Sequence, residues 1–463
     1  MLKCDLLVDS KDLRATLLRL KKDEDFTILL DMTAVDYSKF PDSTPSRFAV
    51  VYVLRSSDFK KETTVKAFVS DETLSVDTVS DIFPSANWAE REAYDQYGVI
   101  FLNHPNLKRV LNHKQFVGHP LRKDYKITQG QICTETDDLM DEMLPLLKSK
   151  GYTDEEIADL MLLNVGPSHP ASHGTIRNFV ALEGETIAAC VTEIGYLHRG
   201  FEKACEHHTY SQVIPYTDRL NYCSAILNNI GWAKAIEDMM KIEITPRAKM
   251  IRVVIGELSR IIDHFVCNAA NMVDLGGLTS LWYLFGARDQ AYDLLSKLTG
   301  ARLTNTYTRI GGLEFDLYDG FDKDLEEVLK TSEKAIEDVL SLIAHNKLFH
   351  DRTQDVGVIK ADFALANGIS GPNLRAAGVA HDLRKDKPYY GYENFDFDVV
   401  IGSHGDVYDR MMCRFEESIQ SIKIIRQAMK NMPDGAINVY APNLVLPNKK
   451  DVYGNIEGLM NQF

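Results

Sequence analysis

A succession of long amphipathic helix patterns occupies the second half of the chain. Thr245 followed by Pro246 is a typical helix start, because threonine caps free N–H groups and proline suits the first helical position. Apolar residues then recur at helical spacing over about four turns, at Ile251, Val254, Ile255, Leu258, Ile261, Ile262 and Phe265. Further patterns predict helices over 220–240, 280–298, 325–343 and 411–429. Such a succession is typical of a helical bundle.

The first part of the chain, residues 1–126, has a different pattern. Short apolar, β-branched runs at 27–30, 48–54 and 65–69 predict buried strands, and helical spacing predicts helices at 12–20 and 87–97. The predicted fold class is therefore α+β, with a small N-terminal α/β domain followed by a mainly α-helical domain. A chain of 463 residues is long enough for two or three domains.

Residues 127–163 are predicted to be an acidic linker with short helices. The stretch 131–165 has nine acidic side chains and two lysines, which is typical of a solvated connector. Thr153 and Glu156 have the spacing of a capping box, so a short helix is expected after Thr153. The last predicted domain, 164–463, opens with a strand-like region.

Charge and hydropathy exclude several classes of protein. The net charge is −15, and residues 1–130 carry 19 basic and 19 acidic side chains, so the whole deficit lies in residues 131–463. An acidic surface argues against nucleic-acid binding. No apolar run is long enough to span a membrane, and the first residues do not form a signal peptide. We therefore expect a cytoplasmic protein that reaches a membrane only through partners.

The seven cysteines form no CxxC pair. Their odd number and irregular spacing argue against a disulfide framework. Iron–sulfur clusters and structural zinc sites usually need paired cysteines, so we expect this chain to supply no metal ligands.

The loop Gly166–Gly174, GPSHPASHG, presents two histidines, His169 and His173, between prolines and glycines that exclude a helix interior. Imidazoles exchange protons near neutral pH, so the loop suits a catalytic site. A structural turn is equally compatible with these residues. A metal site also remains open, with the further ligand drawn from His198, His207, His208 and His264.

Three further features carry charge in a pattern. Glu257, Arg260 and His264 share one face of the predicted helix, away from its apolar stripe, and predict a surface ion pair. Asp274 follows that helix and is suited to orient a histidine, although a lone aspartate is usually a helix cap. Residues 101–126 hold six basic side chains and one acidic side chain, which is compatible with docking onto an acidic partner, docking onto the chain's own second part, or an ordinary basic face.

Together these stretches resemble two subunits of respiratory complex I. Residues 89–125, with EREAYDQYG, HPNLKR and GHPLRKDY, resemble the thirty-kilodalton-type subunit. Residues 164–447 resemble the quinone-site subunit, which is related to the large subunit of nickel–iron hydrogenases, through GPSHPASHG, YLHRGFEK, EHHTYSQ, YTDRLNY, GELSRIIDH, NMVDLGGLT, RIGG, GISGPNLRAAGVAHDLRK and GDVYDRM. The joined arrangement resembles the fused C/D subunit of some bacteria.

The resemblance implies roles for single residues. His173 and Tyr222 match the residues that bind and protonate the quinone headgroup, and Asp274 matches the carboxylate that pairs with that histidine. His169 is expected to be mainly structural. Arg199 and Thr304 match positions near the last [4Fe–4S] cluster, which a partner subunit holds.

The resemblance also implies a place in a complex. The chain is expected to be a peripheral subunit of a proton-pumping NADH:quinone oxidoreductase on the cytoplasmic side of the bacterial inner membrane. Its partners would be the terminal iron–sulfur subunit, other peripheral-arm subunits and the membrane arm, and its substrate ubiquinone or menaquinone. The electron donor, NADH or another carrier, is set by other subunits.

Three alternatives and two departures accompany this interpretation. Hydrogenases hold their metal by two CxxC pairs, whereas the matching stretch here has only Cys223, which argues against hydrogenase activity. A zinc hydrolase built on the histidine loop and a structural scaffold with an idle pocket are the competing functions. Many relatives carry a histidine where Thr304 stands, and the family continues past the region of Pro447, so a C-terminal truncation is expected.

Overall fold

The computed structural model describes residues 4–42, 44–135, 138–441 and 445–462. The chain divides into two compact units: unit 1 is Met1–Glu206 with Asp362–Ile369, and unit 2 is His207–Ala361 with Ser370–Phe463. A short stretch from the second half of the chain thus packs within unit 1. The domain boundaries inferred from the sequence at 126 and 163 stay predictions.

Unit 1 begins with an α/β domain. Its elements are β1 (Leu6–Asp9), α1 (Leu13–Asp23), β2 (Ile28–Asp36), β3 (Phe48–Arg55), β4 (Glu62–Val69), β5 (Ser75–Asp77), α2 (Ala86–Tyr97) and β6 (Ile100–Leu102). The main sheet has the order β1-β4-β3-β2, with β1 parallel to β4 and the other pairs antiparallel. The apolar run of β3 is buried on both faces, as expected for a central strand. The predicted strands and helices of this part are confirmed.

The rest of unit 1 surrounds a second, antiparallel sheet of order β7-β8-β9. Its elements are α3 (Met140–Ser149), α4 (Asp154–Asp159), β7 (Met161–Val165), β8 (Arg177–Glu183), β9 (Thr186–Glu193) and α5 (Phe201–Cys205). The capping box is confirmed, since the Glu156 N–H donates to the Thr153 hydroxyl at 3.3 Å and the Thr153 N–H to Glu156 at 2.8 Å. The expected solvated connector is wrong for α3, which buries Met143 and Leu147 completely against this sheet.

Unit 2 is mainly helical. Its elements are α6 (Tyr210–Asp218), α7 (Ala225–Met240), α8 (Pro246–Asp274), α9 (Leu278–Thr299), β10 (Thr308–Arg309), β11 (Gly312–Leu313), α10 (Phe321–Ile343), α11 (Lys347–Thr353), α12 (Ala361–Ala366), α13 (Gly371–Ala376), α14 (Leu383–Asp386), α15 (Val407–Lys430), α16 (Lys449–Gly454) and α17 (Ile456–Gln462). From Asp362 to its end, α12 packs within unit 1. The predicted helical bundle is confirmed.

The long helix α8 is the centre of unit 2. The Thr245 hydroxyl accepts from the Ala248 N–H at 3.2 Å, and Pro246 occupies the first turn, as the sequence predicts. Its apolar stripe packs against α7, α9 and α15 in one hydrophobic core. Burying one Leu, Ile or Phe side chain of this stripe contributes about 1.5–3 kcal/mol, so the stripe contributes strongly to the stability of the unit. No helix in the described ranges is long and apolar enough to cross a membrane.

Candidate functional site

The histidine loop Gly166–Gly174 lies in unit 1 and connects the antiparallel strands β7 and β8. A short 3₁₀ helix forms at Pro170–Ser172. The Ala171 N–H donates to Nδ1 of His169 at 3.2 Å, and the Ser172 hydroxyl donates to the His169 carbonyl at 2.7 Å. His169 therefore caps the turn with both its ring and its backbone.

His173 follows this turn with an exposed side chain and a left-handed backbone, φ 47°. Few residues other than glycine adopt this conformation, so the surrounding turn must hold it. The Ser172 hydroxyl lies 3.0 Å from the Gly174 carbonyl and closes the turn on that side. Gly166, with φ 100°, packs so tightly that a Cβ there would lie 1.9 Å from the Ile176 carbonyl oxygen. The loop therefore presents the His173 imidazole on a closely packed base.

Arg199 lies in the segment that follows β9 in unit 1, and its side chain is exposed. Its neighbour His198 places Nε2 3.3 Å from the Glu202 carboxylate. This hydrogen bond raises the pKa of His198, so the pair carries opposite charges over a wider pH range. One turn of this segment is thereby fixed beside Arg199.

The basic strip 101–126 contacts the same segment within unit 1. The Lys203 ammonium donates to the Arg122 carbonyl at 2.7 Å, and Lys123 forms an ion pair with Glu206. The prediction that basic side chains of the strip dock onto the second part of the chain is confirmed for Lys123.

Tyr222 lies in unit 2, where it opens a 3₁₀ helix of three residues between α6 and α7. Its side chain is 57% exposed. The Asn221 amide fixes the turn, since it donates to the Ser224 hydroxyl at 2.8 Å and to Asp263 of α8 at 3.2 Å. Burial and the charge of Asp263 raise the pKa of the neighbouring Cys223 thiol to about 11. The turn thus presents the phenol outward, while the thiol stays protonated at neutral pH.

Asp274 is the last residue of α8 and has an exposed side chain. With Asn271, Asn373, Arg410 and Arg414 it lines a cavity of about 300 Å³ in unit 2. The Arg414 guanidinium donates to Oδ1 of Asn373 at 3.1 Å, which fixes one wall. Leu275, Val407 and Met411 also line the cavity, so one carboxylate, two guanidinium groups and two amides stand there beside apolar side chains.

Thr304 lies on the loop between α9 and β10 in unit 2. Two threonines of this loop have left-handed backbones, with φ 51° at Thr304 and 45° at Thr306. The buried Asn305 between them donates its side-chain amide to the Ala301 carbonyl at 2.6 Å and to the Thr299 hydroxyl at 3.0 Å. Such a conformation costs about 1–3 kcal/mol per residue, so these contacts must hold it in place.

The six predicted site residues are divided between the units. Unit 1 contains His169, His173 and Arg199, and unit 2 contains Tyr222, Asp274 and Thr304. The two histidines share one loop, whereas the three residues of unit 2 lie in three different segments. Their assignment to a common site stays a prediction.

The predicted surface ion pair on α8 is wrong, because its residues belong to a buried ionic cluster that was not predicted from the sequence. Glu257 is 0% exposed and His264 is 5% exposed. The Glu257 carboxylate accepts hydrogen bonds from Tyr392, Ser421, Arg384 and Arg260 at 2.6, 2.6, 2.9 and 3.2 Å. Arg384 stands 127 positions from Glu257 in the chain, so no local pattern could identify it as the partner.

A second buried carboxylate, Glu417 of α15, continues this cluster. Nε2 of His264 lies 2.8 Å from Glu417, and Nε of Arg375 donates to it at 2.7 Å. Burial alone would raise the pKa of Glu417, but His264 and Arg375 outweigh it and lower the pKa to about 2. Burial lowers the pKa of His264 itself, which the contact with Glu417 partly offsets. The only hint of this cluster in the sequence is the motif LRAAGVAHDLRK, which contains both Arg375 and Arg384.

The first part of the chain has its own buried carboxylate, Asp95 of α2. One carboxylate oxygen accepts the N–H groups of Val110, Leu111 and Asn112 at 3.1, 2.9 and 2.8 Å, and the other accepts from Arg109 at 2.7 Å. Asp95 of the motif EREAYDQYG therefore holds the segment that begins with HPNLKR against α2. Its role is architectural, because every acceptor site is used within unit 1.

Glu90 in the same motif is expected to make the stability of the fold depend on pH. It is 0% exposed, accepts from the Val79 N–H at 2.7 Å and from the Thr78 hydroxyl, and burial raises its pKa to about 7. The folded state therefore holds a proton between pH 4.5 and about 7 that the unfolded state releases, so stability falls as the pH rises through this window.

We expect Glu90→Gln to have the wild-type thermal midpoint at pH 5 and a higher one at pH 8, with a gain of up to about 3 kcal/mol. Thermal unfolding of both proteins at the two pH values measures this. Midpoints that differ equally at pH 5 and pH 8 would show that Glu90 does not titrate in this way.

Within the described residues no group of three or more His, Cys, Asp or Glu side chains is placed to hold a metal ion. The seven cysteines are all free thiols.

Two family models match the chain. The 30 Kd subunit of the respiratory-chain NADH dehydrogenase matches residues 6–131, and the 49 Kd subunit matches residues 274–463. The C/D subunit of NADH-quinone oxidoreductase from Bdellovibrio bacteriovorus is 48% identical over 459 residues, which cover 98% of this chain and 80% of that protein. The proteins of the same name from Psychrobacter cryohalolentis and Photorhabdus laumondii are each 38% identical, over 98% and 90% of this chain and 78% and 71% of theirs.

Proposed function

The chain belongs to the family of fused C/D subunits of NADH-quinone oxidoreductase, and we propose that it forms one wall of the quinone-reduction pocket of that complex. In this proposal the pocket adjoins the terminal [4Fe–4S] cluster of a partner subunit. The chain is a subunit of an oxidoreductase complex and does not catalyse the reaction alone. The similarity to proteins named for quinone reduction supports this, because it extends through both parts of the chain.

The proposed chemistry assigns proton donation to His173 and Tyr222. Reducing a quinone places charge on two carbonyl oxygens, and each needs a proton donor within hydrogen-bond reach. Both side chains are exposed on turns that local hydrogen bonds fix. A fixed, outward-facing donor loses little freedom when the headgroup binds, which favours this use.

Asp274 is proposed to orient the His173 imidazole and to raise its affinity for a proton. A carboxylate next to a histidine favours the charged ring and selects which nitrogen carries the proton. The exposed carboxylate of Asp274 supports this assignment, since it lies at the end of α8 and lines a cavity together with amide, guanidinium and apolar groups.

Arg199 and Thr304 are proposed to lie on the side of the partner's cluster, and His169 to support the loop. A cluster at that position would supply the electrons one at a time. Since threonine cannot take up a proton near neutral pH, a cluster beside Thr304 should have a lower and less pH-dependent potential than one beside a histidine. Such a potential would suit menaquinone.

Redox titration of the assembled complex between pH 6 and pH 8 measures this potential. We expect a shallow pH dependence in the wild type and a steeper one in Thr304→His. A steep dependence in the wild type would contradict the role given to Thr304.

A structural scaffold without an active pocket is the alternative function. Purification of the whole complex separates the two. Quinone reduction that stops on addition of a quinone-site inhibitor supports the pocket, whereas normal assembly without inhibitor-sensitive quinone reduction supports the scaffold.

The proposed setting is the peripheral arm on the cytoplasmic side of the bacterial inner membrane. The proposed neighbours are the terminal iron–sulfur subunit, other subunits of that arm and the proton-pumping membrane arm. The electron donor, the quinone and the pumped ion depend on those subunits.

A further inference from the structure

The carboxylate of Asp218 joins the segment of Tyr222 to the loop of Thr304 within unit 2. Asp218 is the last residue of α6, four positions before Tyr222, and is 0% exposed. The Thr306 hydroxyl donates to one of its oxygens, and the Asn229 amide of α7 donates to the other. One buried carboxylate therefore ties two segments that are 88 positions apart in the chain.

Each end of this connection is fixed by further contacts. The Asn229 amide also donates to the Thr217 hydroxyl at 2.9 Å, which holds the end of α6 against α7. On the other side, the Thr306 carbonyl accepts from the Arg309 guanidinium. Asp218 thus lies between two well-anchored elements, so moving it must displace at least one of them.

The loop end of the connection is strained. Thr306 is β-branched and has φ 45°, a conformation that persists only where neighbouring contacts impose it. The hydroxyl of Thr306 gives one such contact, to Asp218. Without it the backbone gains by relaxing towards a negative φ, and Thr304 two positions earlier would move with it.

We propose that Asp218 is a positioning residue for quinone reduction, which holds the Tyr222 turn and the Thr304 loop at a fixed separation. This inference rests on the proposed function, which places Tyr222 at the quinone and Thr304 beside the partner's cluster. An ordinary structural carboxylate would affect stability alone. A positioning carboxylate at this junction also sets how well quinone binds and how the cluster behaves.

Two substitutions of Thr306 in the assembled complex test the hydrogen bond to Asp218 without changing the charge of Asp218. Thr306→Val keeps the shape of the side chain and the charge of Asp218 but removes the hydrogen bond, whereas Thr306→Ser keeps the hydroxyl. We expect Thr306→Val to raise the KM for quinone on the order of tenfold, since small displacements of a binding group have effects of this size or more. Thr306→Ser should match the wild type.

Asp218→Asn removes the charge and replaces one of the two acceptor oxygens with an amide donor, so one of the two hydrogen bonds is lost. We expect the same rise in KM together with a higher midpoint potential of the cluster, because a nearby negative charge opposes reduction. Glu326→Gln, in an ion pair of α10 with α15, is the control and should leave both the KM and the potential unchanged. If Asp218→Asn fails to assemble, Thr306→Val alone decides the outcome.

A wild-type KM in Thr306→Val would overturn the inference. Tyr222→Phe is measured in parallel, so that a failure of the positioning role can be distinguished from a failure of the proposed function. If Tyr222→Phe lowers quinone reduction while Thr306→Val and Asp218→Asn change neither KM nor potential, the positioning role fails and the proposed function stands. If Tyr222→Phe and His173→Ala both leave quinone reduction unchanged, the proposed function itself fails.

Discussion

Tyr222→Phe in the assembled complex is expected to lower quinone reduction by about 10²-fold or more, while the iron–sulfur clusters remain reducible. The substitution removes only the phenolic hydroxyl, which is the proposed proton donor to one quinone oxygen. Positioned proton donors contribute about 10²–10⁴-fold to a rate. The turn itself should persist, because Asn221 makes the hydrogen bonds that hold it.

His173→Ala is expected to have an effect of the same order, since the second quinone oxygen then lacks its donor. Steady-state quinone reduction and the spectra of the reduced clusters measure the two quantities separately. Tyr453→Phe and His345→Ala are matched controls, because both residues are exposed and lie outside the proposed site. Unchanged quinone turnover in both Tyr222→Phe and His173→Ala would refute the assignment.

Glu257→Ala is expected to destabilise the fold more than any other substitution named above. The carboxylate is 0% exposed and receives hydrogen bonds from Arg260, Arg384, Tyr392 and Ser421. Removing it leaves Arg260 without this countercharge, while Arg384 keeps its ion pair with Asp382. Breaking a buried ion pair in this way costs about 3–5 kcal/mol.

For a unit of about 250 residues this loss corresponds to a fall in the thermal midpoint on the order of 10 °C. Differential scanning calorimetry of the purified chain measures it. The control is Glu333→Ala, which removes one of two glutamates that pair with the half-exposed Arg426, and is expected to cost less than about 1 kcal/mol. Equal shifts of the thermal midpoint in Glu257→Ala and Glu333→Ala would show that the buried cluster contributes no more to stability than a surface ion pair.

Local signals in the sequence predicted the helices of this protein well. The cap at Thr245 and the capping box at Thr153 both occur where expected, because each depends on residues within one turn. The start of α7 was less accurate. A helix was predicted from Leu220, but α7 begins at Ala225, because the Asn221 amide bonds to the Ser224 hydroxyl and stabilises a turn instead.

Contacts between segments that are far apart in the chain could not be predicted from the sequence. The polar face of Glu257 predicts an exposed side chain, yet Glu257 is buried, because a second countercharge, Arg384, comes from a segment more than 100 positions away. The same reason hid Asp218, whose partner Thr306 lies on a distant loop. For the candidate site, the residue types came from motifs and family resemblance, while the fixed turns that present them came from the structure.

The most direct test of the central claim is labelling of the assembled complex with a photoreactive quinone. We predict cross-links to peptides that contain the loop Gly166–Gly174 and the turn at Tyr222, and their loss when excess unmodified quinone is present. Cross-links confined to other subunits, with this chain unlabelled under the same conditions, would contradict its role as a wall of the quinone pocket.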